Sequence, residues 1–229
     1  HYREFRATLS EELGIEPEDA TCSLVERIRQ GAALEPDPRG VGRAVPVVAT
    51  PIVGRGDELQ SLRQVLAGPD ARLVTVHGPG GVGKTRLSLE LAAREAPLWQ
   101  DGVWFVPLAD VPGPADLPSA LAGALGIETP TAPSESDVAR ALRSTEALLV
   151  LDSFEHLVGA APAVSALLAA APLVKIVVTS RTRLGLREEW IFELGGLLVP
   201  DEAAVDSGEA LSADAVSLFA GVAGRVRSD

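Results

Sequence analysis

The sequence predicts an α/β fold: a parallel five-stranded sheet with helices on both faces, preceded by a short helical hairpin. Three observations carry this. Short apolar runs alternate with amphipathic segments from about residue 56 onward, the pattern of strands buried on both faces and connected by crossover helices. A glycine-rich loop follows the first run and opens a helical pattern. Another apolar run closes abruptly on an aspartate, Asp152.

The elements follow in order. Tyr2, Phe5, Leu9 and Leu13 recur at spacings of three and four before Gly14, and Leu24, Val25 and Ile28 form a second stripe that stops at Gly31. Residues 1–31 therefore read as an αα-hairpin, with helices too acidic to favour a DNA-reading helix-turn-helix over a remnant of a helical repeat. Residues 32–50 carry Pro36, Pro38 and Pro46 with Gly40 and Gly42 and no sustained period, the composition of a linker. The main domain spans 51–210. Helices are expected at 56–66, 84–94, 115–125, 135–143 and 154–170, and strands at 72–76, 102–107, 147–151, 174–179 and 190–194. Val216, Leu218, Phe219 and Val222 mark 211–229 as the start of a following helical region.

Composition narrows the classes of function. A net charge of −12 argues against direct nucleic-acid binding by this stretch, since a protein that tracks phosphates carries a basic face. Cys22 is the single cysteine, which excludes a disulfide framework and a cysteine-rich metal site and fits a reducing cytoplasm. The first residues open on a charged amphipathic pattern instead of a signal peptide's apolar core. A start without methionine and an end within a helical pattern suggest a piece of a longer protein. The uncharged stretch over 157–174 contains Pro162 and Pro172 and reads as a buried helix, so no membrane role is expected.

The chemistry concentrates at two motifs. Gly78-Pro79-Gly80-Gly81-Val82-Gly83-Lys84-Thr85 fits the phosphate-loop (P-loop) pattern between an apolar strand and a helix, the context that the motif requires. Backbone N–H groups of Gly80, Gly81, Val82 and Gly83 would cradle phosphates at the helix N-terminus, Lys84 would reach the β- and γ-phosphates, and Thr85 would hold Mg2+. The expected fold is thus that of a P-loop NTPase, with ATP or ADP and Mg2+ as cofactors. Ala147-Leu148-Leu149-Val150-Leu151-Asp152 supplies the second, magnesium-side carboxylate, Asp152, with a capping box formed with Glu155 as the bland alternative. Ser153 stands where many hydrolytic P-loop enzymes carry a water-activating glutamate, and Glu155 reads as a cap more than a base. Losing a general base removes about 10²- to 10⁴-fold from a typical turnover near 10 per second, leaving roughly 0.1 to 0.001 per second. At most a slow ATPase is expected. Lys175 to Arg181 form another strand whose carboxyl end faces the ligand edge of an open sheet, so Arg181 is the candidate sensor of the γ-phosphate. Lys84, Asp152 and Arg181 are accordingly the expected catalytic set. His77 and His156 lack companions at ligand spacing and read as structural.

With these motifs in order, residues 49–229 resemble the STAND class of signal-transduction ATPases, in particular the NB-ARC-like domains of bacterial transcriptional regulators. The likeness rests on Thr50-Pro51-Ile52-Val53-Gly54-Arg55, the loop Gly78 to Leu87, Leu149-Val150-Leu151-Asp152-Ser153-Phe154-Glu155-His156-Leu157, and Val178-Thr179-Ser180-Arg181. It implies that Val53 and Arg55 contact the adenine and that Arg86 supports the phosphate loop. Ser153 departs from the class, which often has Asn or Asp there. Residues 1–31 are similar to the end of the bacterial transcriptional activator domain of antibiotic-regulatory-type activators. The resemblance implies a nucleotide-dependent switch in a cytoplasmic regulator, with a DNA-binding domain before it, helical sensor domains after it, and self-association that depends on nucleotide. An active motor-like or chaperone-like ATPase, using Glu155 or a residue supplied in trans, is the alternative.

Overall fold

The computed structural model describes residues 45–46, 50–129, 131–197, 214–216 and 218–219. The chain divides into two compact units, His1–Gly40 and Val41–Asp229. The expected hairpin over 1–31, most of the linker over 32–50 and most of the helical region over 211–229 lie outside the described residues.

In the second unit the elements run α1 (Gly56–Ala67), β1 (Leu73–His77), α2 (Lys84–Glu95), β2 (Gly102–Pro107), α3 (Leu117–Leu125), α4 (Glu135–Leu142), β3 (Ala147–Asp152), α5 (Ala161–Ala170), β4 (Lys175–Ser180) and β5 (Glu189–Glu193). All five expected strands are present. They pair in the order β2-β3-β4-β1-β5, and every pairing is parallel. The fold is that of a P-loop NTPase.

Strand alternation divides the core in two. Leu73, Val106, Leu149, Leu151, Ile176 and Val178 point to one face of the sheet, where they meet Leu121 of α3, Leu142 of α4 and Leu168 of α5. Val74, Val76, Phe105, Val150 and Val177 point to the other, against Leu59 and Leu62 of α1 and Leu87 and Leu91 of α2. Each fully buried leucine contributes about 1.5 to 3 kcal/mol, so the two layers together hold the carboxyl ends of β1, β3 and β4 in register.

Local chemistry sets the helix limits. Asp57 and Glu58 lie in the first turn of α1, where negative charge suits the helix dipole. Ser134 and Asp137 close a capping box at the start of α4, and Gly126 ends α3 in the left-handed conformation. The expected continuous helix over 154–170 is instead a 3-10 segment, Glu155–Ala160, followed by α5. Pro162 explains the break, because it has no N–H to donate and its ring would strike the carbonyl of Val158 in a continuous helix. Leu157 takes up the irregularity at φ −105°, ψ 15°.

Two cations from the starts of strands close helix ends. Arg72 Nη2 donates to the carbonyls of Leu168 (2.8 Å), Ala171 (2.6 Å) and Val174 (3.1 Å), at and beyond the end of α5. Lys175 Nζ donates to the carbonyls of Leu66 and Gly68 at the end of α1. Arg72→Ala should therefore cost about 2 kcal/mol, the scale of hydrogen bonds to a charged group. Guanidinium unfolding curves of the two proteins test this, and a loss below about 0.5 kcal/mol, within the range of ordinary surface substitutions, would contradict it.

Candidate functional site

The carboxyl ends of β1, β3 and β4 lie side by side, and the glycine-rich loop leaves the first of them. Gly78 begins that loop where no side chain fits, since a Cβ there would stand 2.6 Å from the Leu194 carbonyl oxygen. The loop ends at Gly83, whose φ of 101° lies in the left-handed region and which caps α2 without a side chain. The N–H groups of the first turn of α2 are thereby directed into the loop.

Lys84, the first residue of α2, is only 9% exposed. Its Nζ donates to the carbonyls of Gly78 and Pro79, each at 2.9 Å, so the ammonium folds back across the mouth of the loop. Burial pushes its pKa below the ordinary 10.5; Glu155 opposes that shift, Arg181 adds to it, and Asp152 opposes it. These four side chains therefore form one electrostatic cluster, two cations against two carboxylates.

Asp152 ends β3 and is 6% exposed. Its carboxylate accepts the Thr85 hydroxyl at 2.8 Å and 3.0 Å, and the Thr179 hydroxyl at 2.6 Å. Thr179 in turn accepts the Ser153 N–H at 2.9 Å, and its carbonyl accepts the Phe154 N–H at 2.9 Å. The first-turn capping alternative fails: the 3-10 segment has Phe154 at its N-cap and no side-chain cap. Ser153 has φ 65°, the one non-glycine residue with positive φ among the described residues. Asn and Asp tolerate that conformation better than Ser, which costs about 1 to 2 kcal/mol there. The bonds from Thr179 hold the turn in place.

That turn sends Glu155 to Arg181. The Arg181 Nε lies 3.1 Å from Glu155 Oε1, with the arginine 63% exposed and the glutamate 26%. The guanidinium also lies against the loop, because a Cβ on Gly80 would come within 3.3 Å of its Cζ. Glu155 is thus an ion-pair partner and not the cap expected of it. Arg183 pairs with Glu193 instead. His77 Nε2 lies 3.1 Å from the Arg181 carbonyl, and His156 Nε2 lies 3.0 Å from the Val111 carbonyl.

On the other side of Gly81, Val82 and Gly83 lies a pocket of about 540 Å³, lined also by Thr50, Pro51, Ile52, Val53, Arg55, Arg86, Gly196, Leu197, Ala215 and Leu218. Its size and mostly apolar wall suit a planar organic group. Arg55 lines it but is already engaged: it donates to the carbonyls of Val82 (3.1 Å) and Gly195 (2.7 Å) and pairs with Glu58. Its guanidinium therefore fixes the pocket wall. Arg86 donates to the Thr50 carbonyl and pairs with Glu90 at 3.7 Å, so it anchors the segment before α1 and does not touch the loop's own carbonyls in the bonds that it makes. Thr179 and the Glu155–Arg181 pair escaped the sequence reading. The threonine at the end of an apolar strand beside Asp152 was the available signal.

No protein-family model matches the chain. Over 182 residues, 79% of the chain, it is 35% identical to an uncharacterized protein of Mycobacterium tuberculosis (strain ATCC 25618 / H37Rv), of which it spans 43%. It is also 35% identical, over 68% of its length, to a protein of the same organism named as an HTH-type transcriptional regulator, of which it spans 16%. To the regulatory protein AfsR of Streptomyces griseus it is 29% identical, over 80% of the chain and 20% of that protein. The chain thus spans less than half the length of these relatives. Among solved structures it is similar to Cdc6p of Pyrobaculum aerophilum (17% identity, TM-score 0.45, 66% of this chain and 48% of that one). It is likewise similar to a signal transduction ATPase with numerous domains and a tetratricopeptide repeat sensor from Pyrococcus horikoshii (22% identity, TM-score 0.40, 69% and 25%).

The lowered pKa of Lys84 gives a pH dependence with a definite sign. Between the lowered folded value and 10.5 the unfolded chain binds the proton more tightly than the folded chain, so this residue makes unfolding free energy rise with pH in that window. Lys84→Met should remove that increment. Denaturant midpoints of both proteins across the window check it, and a wild-type minus variant difference that is flat or falls with pH would contradict the burial of the ammonium.

Proposed function

We propose that this chain is the nucleotide-responsive module of a cytoplasmic bacterial transcription regulator of the STAND, NB-ARC-like kind, which binds ATP or ADP with Mg2+ and hydrolyses ATP slowly or not at all. The observation that carries this reading is the convergence of Lys84, Thr85 and Asp152 around a loop built to expose its N–H groups. Similarity to proteins named as transcription regulators supports the setting.

In this reading Gly80, Gly81, Val82 and Gly83 donate backbone N–H groups to the phosphates, and Lys84 exchanges its two carbonyl partners for phosphate oxygens. Thr85 and Asp152 present hard oxygen donors 2.8 Å apart, a set that suits Mg2+, which prefers to complete its shell with phosphate and water. When bound, the ion neutralises phosphate charge. Among the described residues no group of three or more His, Cys, Asp or Glu converges on a point, so the protein would contribute few ligands. The base enters the pocket beside Val53, with Arg55 and Arg86 holding its walls. Arg181 distinguishes ATP from ADP, and only such differential contact to the third phosphate can shift the flanking domains between states.

Slow turnover follows from the residues beside Asp152. Ser153 has no carboxylate, and Glu155 Oε1 is bound to Arg181. An active motor-like or chaperone-like ATPase would need Glu155 released or a base supplied in trans, and in the second case its turnover per chain would rise with protein concentration.

Calorimetric titration with ADP and with a non-hydrolysable ATP analogue, each with magnesium, tests the assignments. Lys84→Ala should reduce analogue affinity by at least about tenfold, the scale of a charge-assisted bond to phosphate. Arg181→Ala should weaken the analogue and leave ADP nearly unchanged. Equal losses for both nucleotides would remove Arg181 from the sensing role, and steady-state hydrolysis above a few per second, near the typical enzyme range, would rule out the slow switch.

A further inference from the structure

Glu155 is the residue of the phosphate edge that the proposed function leaves without a task. One of its oxygens, Oε1, meets Arg181 Nε at 3.1 Å. The other, Oε2, is buried and has no hydrogen-bond partner. The guanidinium it holds rests on Gly80, within the loop expected to wrap the phosphates. A third phosphate at that loop and the Glu155 carboxylate would therefore address the same cation.

Resting on the reading of this site as a nucleotide site, we propose that Glu155 is a specificity-determining residue: it occupies Arg181 when no third phosphate is present and so sets the preference between ATP and ADP. A γ-phosphate must draw Arg181 from an existing ion pair, whereas ADP leaves the pair intact. Glu155 thereby weakens ATP selectively through a competing contact. The pair lies partly in solvent, and exposed ion pairs are worth no more than about a fivefold factor, which bounds the effect. The one-turn geometry matters here: the positive φ of Ser153 and the 3-10 segment that follows bring Glu155 toward β4.

The test measures dissociation constants for ADP and a non-hydrolysable ATP analogue, with magnesium, in the wild-type chain, Glu155→Gln, Arg181→Ala and the double variant, each first shown to be folded by circular dichroism. Glu155→Gln should raise analogue affinity by about threefold to fivefold relative to ADP. In the Arg181→Ala background the same substitution should change the ratio by much less, because Glu155 acts through Arg181. Glu155→Asp keeps the charge but draws it back by one methylene, and should move the ratio in the same direction by a smaller factor. If the wild type binds both nucleotides and Glu155→Gln leaves the ratio unchanged or lowers it, this inference fails alone. A full-sized effect without Arg181 also overturns it, pointing to direct repulsion of phosphate. A wild-type chain that binds neither nucleotide overturns the underlying reading as well.

Discussion

The carboxylate of Asp152 joins three elements: its own strand β3, helix α2 through Thr85, and strand β4 through Thr179. A carboxylate left without these partners at 6% exposure would be costly to bury, since an uncompensated charge in the interior is strongly destabilising. The hydroxyls of Thr85 and Thr179, with that of Ser153 at 3.3 Å, satisfy it, and the Thr85 bond fixes the distance from the start of α2 to the end of β3. The glycine-rich loop runs from the end of β1 into the helix start that is held in this way. The turn at Ser153 is held through the same Thr179, and Lys84 leaves the same helix start as Thr85 to reach the carbonyls of Gly78 and Pro79.

The rest of the domain serves to hold those ends. Strand β4 lies between β1 and β3, so the Thr179 hydroxyl reaches Asp152 while the Ser180 carbonyl accepts the Gly78 N–H at 3.4 Å. Both faces of the strands are covered by apolar helices, which leaves their carboxyl ends as the natural place for polar groups. Arg72 and Lys175 lie at the opposite end, where each strand begins, and close the helix carbonyls there. Polar chemistry is thus divided between two edges, one structural and one available to a ligand.

Much of the fold was legible because its strands are short apolar runs between strong punctuation, and all five were located within a residue or two of their ends. The loop and Asp152 stand out in the sequence because phosphate and Mg2+ binding would demand fixed residue types at fixed spacing. The break before α5 was missed although Pro162 announced it, because alanine-rich periodicity outweighed one proline. Glu155 was misread as a cap: capping-box spacing after Asp152 is a local signal, whereas its pairing with Arg181 arises from the neighbouring strand β4 and the unusual φ of Ser153. Arg55 and Arg86 show the same limit. Sequence resemblance assigns Arg55 to the adenine and Arg86 to the phosphate loop, but only the fold reveals that their guanidinium groups are committed to the carbonyls of Val82, Gly195 and Thr50.

In the proposed function, the loop around Lys84 with Thr85 and Asp152 holds a purine nucleotide through its phosphates. The most direct measurement is to denature the purified chain and identify what it releases by anion-exchange chromatography. Release of ADP, close to one equivalent per chain and absent from Lys84→Ala prepared in the same way, is the predicted result. A wild-type chain that releases no nucleotide, and that binds neither ADP nor ATP when they are added back with magnesium, would contradict the claim.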